Sequence, residues 1–370
     1  MAALILARRL PILVKGGTSV AKRALVLSGG GARGAYQVGM LQELVVNRGL
    51  DFAVFRGVSV GGLTATYLAQ APAAGDAQAA LREQVQALGS LWLNEIKGNH
   101  SVYATRLGIL GLVVGADSLY SLRPLEGLLK RHVNVDALRR SGRDLAIGTV
   151  SLVTGEYSEW KADADHFLEK LLASCAIPVV FPFVNLRTER DALCDGGVRN
   201  ITPLASAFDA EPDEIYVLMT SPVGRRGDLP DDSGVEKQDY ERWDDNFLGT
   251  KVNGVDVLMR TLSILTDEIY LDDIRAALKW NDVAKAVKDL GSMAEGKSLP
   301  SEVAAAVASA VRALDKIERR HVPLFVIAPR KRPDGEISAT EFSPKLIREA
   351  IEEGCYVASH PELWVWPPVR

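Results

Sequence analysis

The chain has 370 residues, of which 47% are hydrophobic and 24% are charged, and its formal net charge is −4 at pH 7. This hydrophobic content is enough to bury a sizeable core, and it excludes a chain that is disordered throughout. Forty-three basic residues against 47 acidic ones argue against a nucleic-acid-binding protein, whose phosphate contacts need clustered lysine and arginine.

The sequence has no run of about 18 uninterrupted apolar residues, so it predicts no simple membrane-spanning helix. Near its start the apolar run Ala2–Ala7 precedes Arg8 and Arg9, which reverses the order of a secretory signal peptide. We therefore expect residues 1–20 to be a tail that contacts a membrane surface at most, and we expect a cytoplasmic protein. Three widely separated cysteines fit that expectation as buried thiols without a C-x-x-C pair: Cys175, Cys194 and Cys355.

Strands and helices alternate along the chain. The predicted strands are Arg23–Ser28, Val54–Val58, Asp144–Leu152, Glu156–Lys161, Glu214–Met219 and Val322–Ala328. The predicted helices are 36–45, Val60–Gln70, Ala77–Trp92, Phe167–Cys175, one from Pro203, 258–269, Ser301–Arg320 and Ser343–Glu353. Such alternation predicts an α/β fold in which helices cover both faces of a mostly parallel central sheet.

We expect residues 21–370 to form one domain. Between about residues 250 and 320 the pattern adds helices that we interpret as a C-terminal helical elaboration. The acidic segment Ser221–Asn246, which is rich in glycine, proline and aspartate, predicts a surface excursion. The connection Leu107–Gly115 is unusually apolar for a loop.

The first strand runs into a glycine-rich turn, Gly29-Gly30-Gly31-Ala32-Arg33-Gly34, which a helix follows. Glycines let a ligand approach the backbone closely, and the start of a helix presents free N–H groups to an anion. Two kinds of anion fit this turn. One is a pyrophosphate, because the segment satisfies G-x-G-x-x-G, and the other is an oxyanion that forms during acyl transfer.

A second turn, Gly57-Val58-Ser59-Val60-Gly61, also lies between a strand and a helix. G-x-S-x-G is typical of a nucleophile elbow, in which a strained turn exposes a serine hydroxyl. Both turns follow strands, and ligands gather at the carboxyl ends of strands in open α/β sheets. A dinucleotide site would need a ribose-binding carboxylate after the second strand, whereas Asp51 precedes that strand. The two turns together therefore favour the oxyanion.

A serine hydroxyl is a poor nucleophile unless a base assists it. The five histidines are interpreted as surface or loop residues, because none has a glycine-flanked position at a strand end: His100, His132, His166, His321 and His360. Asp195 follows the apolar Ala192-Leu193-Cys194 and precedes Gly196-Gly197, so it lies at a sharp turn after a short strand. Asp195 is thus a candidate base, and an aspartate that starts an ordinary turn is the alternative.

In this order, these three blocks resemble the motifs of the patatin-like phospholipase family: GGGARG, GVSVG and the DGG of 195–197. A fourth block, Ala173-Ser174-Cys175-Ala176-Ile177-Pro178, is similar to the family's A-S-x-A-x-P stretch. GARGAYQVGML continues the resemblance along the first helix, in a form typical of bacterial members. The resemblance covers about residues 23–219, with a looser match at Phe342–Gly354.

The resemblance implies a patatin-like α/β hydrolase that cleaves carboxylic esters of fatty acids, of phospholipase A, lysophospholipase or lipase type, through an acyl-enzyme. Ser59 would be the nucleophile and Asp195 the base of a Ser–Asp dyad, with no cofactor and no metal. The N–H groups of Gly29, Gly30 and Gly31 would form the oxyanion hole. Further residues would support the site, among them an arginine that holds the loop or meets a lipid phosphate: Arg33, Gly34, Gly57, Gly61, Gly196 and Gly197.

The implied partner is a lipid or fatty-acyl ester, with peripheral membrane contact, no nucleic acid and no identified protein partner. Trp364 and Trp366 favour membrane contact, and their packing onto the domain is the alternative. The stretch 107–114 is a candidate acyl wall or mobile cover. Three other functions stay open: a Ser-His-Asp esterase, a dinucleotide-binding module at Gly29–Gly34, and a family member that binds lipid without turnover.

Overall fold

The computed structural model describes residues 21–106, 117–222, 254–295, 321–330 and 340–364, with isolated positions between 300 and 309. Several predictions therefore lie outside the described residues: the 1–20 tail, the apolar connection Leu107–Gly115, most of the excursion Ser221–Asn246, most of the helix Ser301–Arg320, and Trp366. Within the described ranges, the structure contains no helix with both the length and the apolar character that are needed to cross a bilayer.

The strands of the described residues are short, and most match the predicted ones. They are β1 Arg23–Leu27, β2 Val54–Val58, β3 Ala104–Thr105, β4 Tyr120–Ser121, β5 Asp144–Ser151, β6 Tyr157–Trp160, β7 Val184–Leu186, β8 Asp191–Asp195, β9 Glu214–Leu218 and β10 Leu324–Ile327. The helices are α1 Gly34–Leu41, α2 Val60–Ala69, α3 Ala77–Asn94, α4 Arg123–His132, α5 Val135–Arg140, α6 Phe167–Ala173, α7 Leu204–Asp209, α8 Gly254–Glu295 and α9 Pro344–Ser359. The helix α8 is the first part of the predicted C-terminal elaboration.

The central sheet has the strand order β10-β9-β1-β2-β5-β8-β7, with β6 on the other edge of β5. The strands from β10 to β5 are all parallel to one another. By contrast, β6 and β8 pair with β5 in the antiparallel sense, and so does β7 with β8. A small antiparallel pair, β3 with β4, stands apart from this sheet. The prediction of a mostly parallel sheet is confirmed.

Helices cover both faces of the sheet, because successive strand residues point to opposite sides. On one face, Leu25 and Leu27 of β1 belong to a core that includes residues of α1, α3 and α9. On the other face, Ala24 and Val26 belong to a core that includes residues of α7 and α8. The α/β layers predicted from the sequence are therefore confirmed.

Two strands end against each other on one edge of β5. Along this edge β2 pairs with β5 as far as Gly148, whose partner is Val58. From the opposite direction comes β8, which ends with Asp195 paired to Thr149. Because β6 occupies the other edge of β5 over the same stretch, β2 and β8 must share an edge. Their carboxyl ends therefore meet head to head, and Ser59 follows directly after β2.

Trp364 packs onto the domain beside the sheet. Its ring centre lies 6.3 Å from that of Tyr216 and 5.8 Å from that of Phe325. The indole N–H donates a hydrogen bond to the carbonyl oxygen of Val357 at 3.2 Å, and the Arg48 guanidinium lies over the ring. Of the two interpretations of Trp364, packing onto the domain is thus confirmed.

Two glycines let α1 and α9 pack with their backbones in direct contact. A Cβ at Gly39 of α1 would collide with the carbonyl oxygen of Ile351. A Cβ at Gly354 of α9 would collide with the carbonyl oxygen of Tyr36. Because α1 directly follows the glycine-rich turn, α9 supports that turn through α1.

We predict that Gly354→Ala destabilises the protein by about 1–3 kcal/mol, because backbone atoms on α1 cannot move away as a flexible side chain can. The measurement is the free energy of unfolding in urea. Gly127→Ala is the matched control within α4, since the nearest atom to its added Cβ would be 3.6 Å away. That control should be neutral or more stable by up to about 1 kcal/mol. Equal effects of both substitutions would contradict the prediction.

Candidate active site

Ser59 lies in a strained turn between β2 and α2. Its φ of 56° and ψ of −130° are angles that residues other than glycine rarely adopt. The turn is tight on both sides, since a Cβ at Gly57 would collide with the carbonyl oxygen of Gly61, and one at Gly61 with that of Leu27. Ser59 thereby becomes the N-cap residue of α2 and lines an apolar cavity. This geometry matches the predicted nucleophile elbow.

Ser174 holds the turn in place. Its hydroxyl accepts a hydrogen bond from the N–H of Ser59 at 2.9 Å and donates one to the carbonyl oxygen of Gly148 at 2.7 Å. Ser174 is fully buried. Two residues later, the carbonyl oxygen of Ala176 accepts a hydrogen bond from the N–H of Asp195 at 3.0 Å. This segment therefore positions both Ser59 and Asp195, a role that the sequence analysis did not assign to it.

Asp195 ends β8 and is buried next to Ser59. Its carboxylate accepts a hydrogen bond from the N–H of Gly197 at 2.8 Å, and the Ser59 side chain lies beside it. Burial raises the pKa of Asp195 to about 7, and the nearby Gly197 N–H and Ser59 side chain act in the opposite direction. Near neutral pH the carboxyl group can therefore both accept and return a proton, as a general base must.

The described cysteines are free thiols, and two of them lie close to Asp195. Burial raises the pKa of the Cys194 thiol to about 12, and the charge of Asp195 adds to this effect. The pKa of the Cys175 thiol is raised by the same two causes. Because the thiolate is the reactive form of cysteine, neither residue is suited to be a nucleophile. The prediction of buried thiols is confirmed for this pair, whereas Cys355 is half-buried.

The glycine-rich turn lies beside Ser59, since a Cβ at Gly29 would be 3.2 Å from the Ser59 Cβ. The N–H of Gly29 already donates to the carbonyl oxygen of Ile201 at 3.1 Å. Within the described part of the chain, the N–H groups of Gly30 and Gly31 have no protein acceptor. Their φ angles, 152° and 58°, are ones that favour glycine. Of the three predicted oxyanion-hole donors, Gly30 and Gly31 therefore have N–H groups that are available to a ligand.

Arg33 fastens this turn to the end of β9. One guanidinium nitrogen donates to the hydroxyl of Ser221 at 2.6 Å, and Nε donates to the carbonyl oxygen of Gly30 at 3.4 Å. Of the two roles suggested for Arg33, these contacts support the one that holds the loop. The absence of a side chain at Gly34 has a separate role, because a Cβ there would collide with Val60 at the start of α2. Gly34 thus lets the glycine-rich turn and the elbow pack together.

An apolar cavity opens at Ser59. Its walls come mainly from α2, α3 and α4 and from the loops around β3 and β4. The lining residues are Gly31, Ser59, Val60, Leu63, Thr64, Tyr67, Leu88, Leu91, Trp92, Ile96, Val102, Leu122, Leu125, Leu128, Leu129, His132, Val133, Cys175, Ile177, Phe181 and Phe342. A lining of this kind suits a hydrocarbon chain, and it offers few groups to a charged ligand.

The contacts of His132 and Asp51 bear on the alternative sites. His132 lines the cavity, and its Nε2 hydrogen-bonds the carboxylate of Glu95 at 3.0 Å. Asp51 precedes β2 and accepts a hydrogen bond from Arg143 at 2.9 Å, at the other end of the strand from Ser59. Neither contact supports a Ser-His-Asp triad or a dinucleotide site. Among the residues that the structure describes, no group of three or more His, Cys, Asp or Glu side chains is placed to hold a metal ion.

We predict that the buried carboxyl of Asp195 makes the protein less stable as pH rises from about 4 to 7. Over this range the folded protein keeps a proton that the unfolded chain has released, because the pKa rises from 3.8 to about 7 on folding. Asp195→Asn should therefore raise the free energy of unfolding by roughly 4 kcal/mol at pH 8, with little effect at pH 4.

Urea denaturation at pH 4, 6 and 8 measures this difference. Asp136→Asn is the control, because the side chain of Asp136 is 71% exposed and its replacement should change little at any of these pH values. A difference between Asp195→Asn and wild type that does not grow with pH would contradict the prediction.

One comparison with known proteins, that with protein families, agrees with the motifs. The family model of patatin-like phospholipases matches residues 25–208, a stretch that contains both turns, Ser174 and Asp195. No curated protein matches the sequence. Among solved structures, VipD from Legionella pneumophila is similar, with 14% identity, a TM-score of 0.40, and coverage of 93% of this chain and 67% of that one. Through residues 25–208, the chain belongs to the patatin-like phospholipase family.

Proposed function

We propose that the protein is a lipid acyl hydrolase that cleaves carboxylic esters of fatty acids through a Ser59–Asp195 dyad. The observation that carries this proposal is the meeting of β2 and β8, which places the buried Asp195 carboxyl group next to Ser59 beside an apolar cavity. A pKa of about 7 makes Asp195 a competent base near neutral pH. Family membership supports the same class of reaction.

In the first half of the reaction, the carboxylate of Asp195 takes the proton of Ser59 as Oγ attacks the ester carbonyl carbon. The carbonyl oxygen becomes an oxyanion and accepts hydrogen bonds from the N–H groups of Gly30 and Gly31. One such donor is typically worth about 3 kcal/mol of transition-state stabilisation. When the tetrahedral intermediate collapses, protonated Asp195 returns the proton to the leaving alcohol, and the acyl group stays on Ser59.

In the second half, a water molecule attacks the acyl-enzyme. Asp195 takes a proton from this water, and the same two N–H groups stabilise the second oxyanion. Collapse of this intermediate releases the fatty acid and returns the proton to Ser59. In this scheme the dyad needs no histidine in either half, because Asp195 lies next to Ser59 and takes and returns every proton itself.

We predict that Ser59→Ala lowers ester hydrolysis by at least about 1,000-fold, since it removes the group that forms the acyl-enzyme. Asp195→Asn should lower hydrolysis to a similar extent, because an amide cannot accept the proton. The measurements are hydrolysis of a fatty-acyl ester and labelling by a fluorophosphonate probe, with the modified residue located by mass spectrometry. Ser292→Ala, which changes an exposed serine of α8, is the control and should keep full activity. Attachment of the probe to another residue would refute the assignment.

We predict that kcat/KM rises with pH through about 7, because only the ionised form of Asp195 can accept the serine proton. Below the pKa, each fall of one pH unit should lower kcat/KM about tenfold. The profile is measured between pH 5 and 9 with an ester whose spontaneous hydrolysis is slow. A flat profile from pH 5 to 8 would show that the base has an ordinary carboxyl pKa or is another group.

A further inference from the structure

The cavity beside Ser59 follows one face of α2. Val60, Leu63, Thr64 and Tyr67 line it, and their spacing is that of a single helical face. Tyr67 comes eight residues after Ser59. At a rise of about 1.5 Å per residue, its position on the helix axis is roughly 12 Å from the nucleophile.

The far end of the cavity differs from its walls. Most lining residues of α3 and α4 are aliphatic, such as Leu88 and Leu125, and Trp92 of α3 adds an aromatic ring. At the end, Tyr67 faces His132, with ring centres 6.5 Å apart. His132 in turn hydrogen-bonds Glu95, whose carboxylate also pairs with Arg131 at 3.4 Å. A hydrocarbon chain that reaches this point meets the rings of Tyr67 and His132 and, behind them, a partly exposed cluster of charged groups.

Two glutamine side chains hold this end in place. Gln84 of α3 donates a hydrogen bond to the carbonyl oxygen of Tyr67 at 2.8 Å. Gln70 donates to the carbonyl oxygen of His132 at 3.1 Å and accepts from the N–H of Asn134 at 2.7 Å. The distance from the end of the cavity to Ser59 is therefore fixed by contacts among three helices.

We propose that Tyr67 and His132 close the acyl channel and limit the preferred acyl chain to about ten carbons, because an extended chain of about 1.5 Å bonds advances roughly 1.25 Å per carbon. This inference rests on the proposed function. Each methylene that enters the channel should raise kcat/KM about fourfold, and methylenes beyond Tyr67 and His132 should add nothing.

The test uses p-nitrophenyl esters with acyl chains from four to sixteen carbons. In the wild-type protein, kcat/KM should rise to about ten carbons and then level off or fall. The double variant Tyr67→Ala/His132→Ala should move this limit to fourteen carbons or more. Leu63→Trp should move it to about five carbons, since position 63 is one helical turn nearer to Ser59. Tyr356→Ala, at an exposed tyrosine of α9, is the control and should leave the limit unchanged.

A second measurement separates this inference from the proposed function. Calorimetry on Ser59→Ala and on Ser59→Ala/Tyr67→Ala/His132→Ala gives the affinity for fatty acids of six to sixteen carbons. Affinity should stop rising near ten carbons in the first protein and continue to rise in the second. If no ester is hydrolysed, the proposed function fails, and the calorimetric series alone decides the inference. If the limit is the same in both proteins while circular dichroism shows them folded, the inference is overturned.

Discussion

The structure depends on the head-to-head meeting of β2 and β8 along one edge of β5. That meeting brings two residues 136 positions apart in the chain, Ser59 and Asp195, next to each other. It also leaves little room at the junction, because a Cβ at Gly196 would lie 2.6 Å from the carbonyl oxygen of Gly148. A single buried hydroxyl, that of Ser174, spans the junction and connects the elbow to β5.

Both residues of the proposed dyad are held in states that an isolated peptide would avoid. Ser59 has strained backbone angles, and strain of this kind costs of order 1–3 kcal/mol. Asp195 is a carboxyl group removed from water. The cores on the two faces of the sheet hold β2 through Val54 and Phe55, and Leu193 of β8 packs in a smaller cluster with Ala173 and Leu186. This packing offsets the costs at the proposed site.

Local patterns predicted much of the molecule, and long-range contacts account for what they left out. The two turns and Asp195 each lie beside a short apolar strand, so neighbouring residues indicate their places. By contrast, the backbone hydrogen bond from Gly29 to Ile201 joins residues 172 positions apart. No residue near Gly29 in the sequence indicates that this bond forms. Strand β7 has three residues, too few to show the alternation of apolar and polar residues that predicts a strand. In α4, Arg, Lys and His stand among the apolar residues, and this helix was not predicted. The sequence motif includes the fully buried Ser174, but only the folded structure shows that its hydroxyl hydrogen-bonds Ser59 and Gly148.

The interlocked glycines of α1 and α9 have a consequence for biosynthesis. All groups of the dyad and the glycine-rich turn are synthesised by residue 197, whereas Gly354 leaves the ribosome more than 150 residues later. Until then the part of α1 that packs against α9 has no helix to cover it, and such surfaces favour aggregation of nascent chains. The protein is therefore most prone to aggregate during translation, after the residues of the candidate site have been made and before α9 is available to pack against α1.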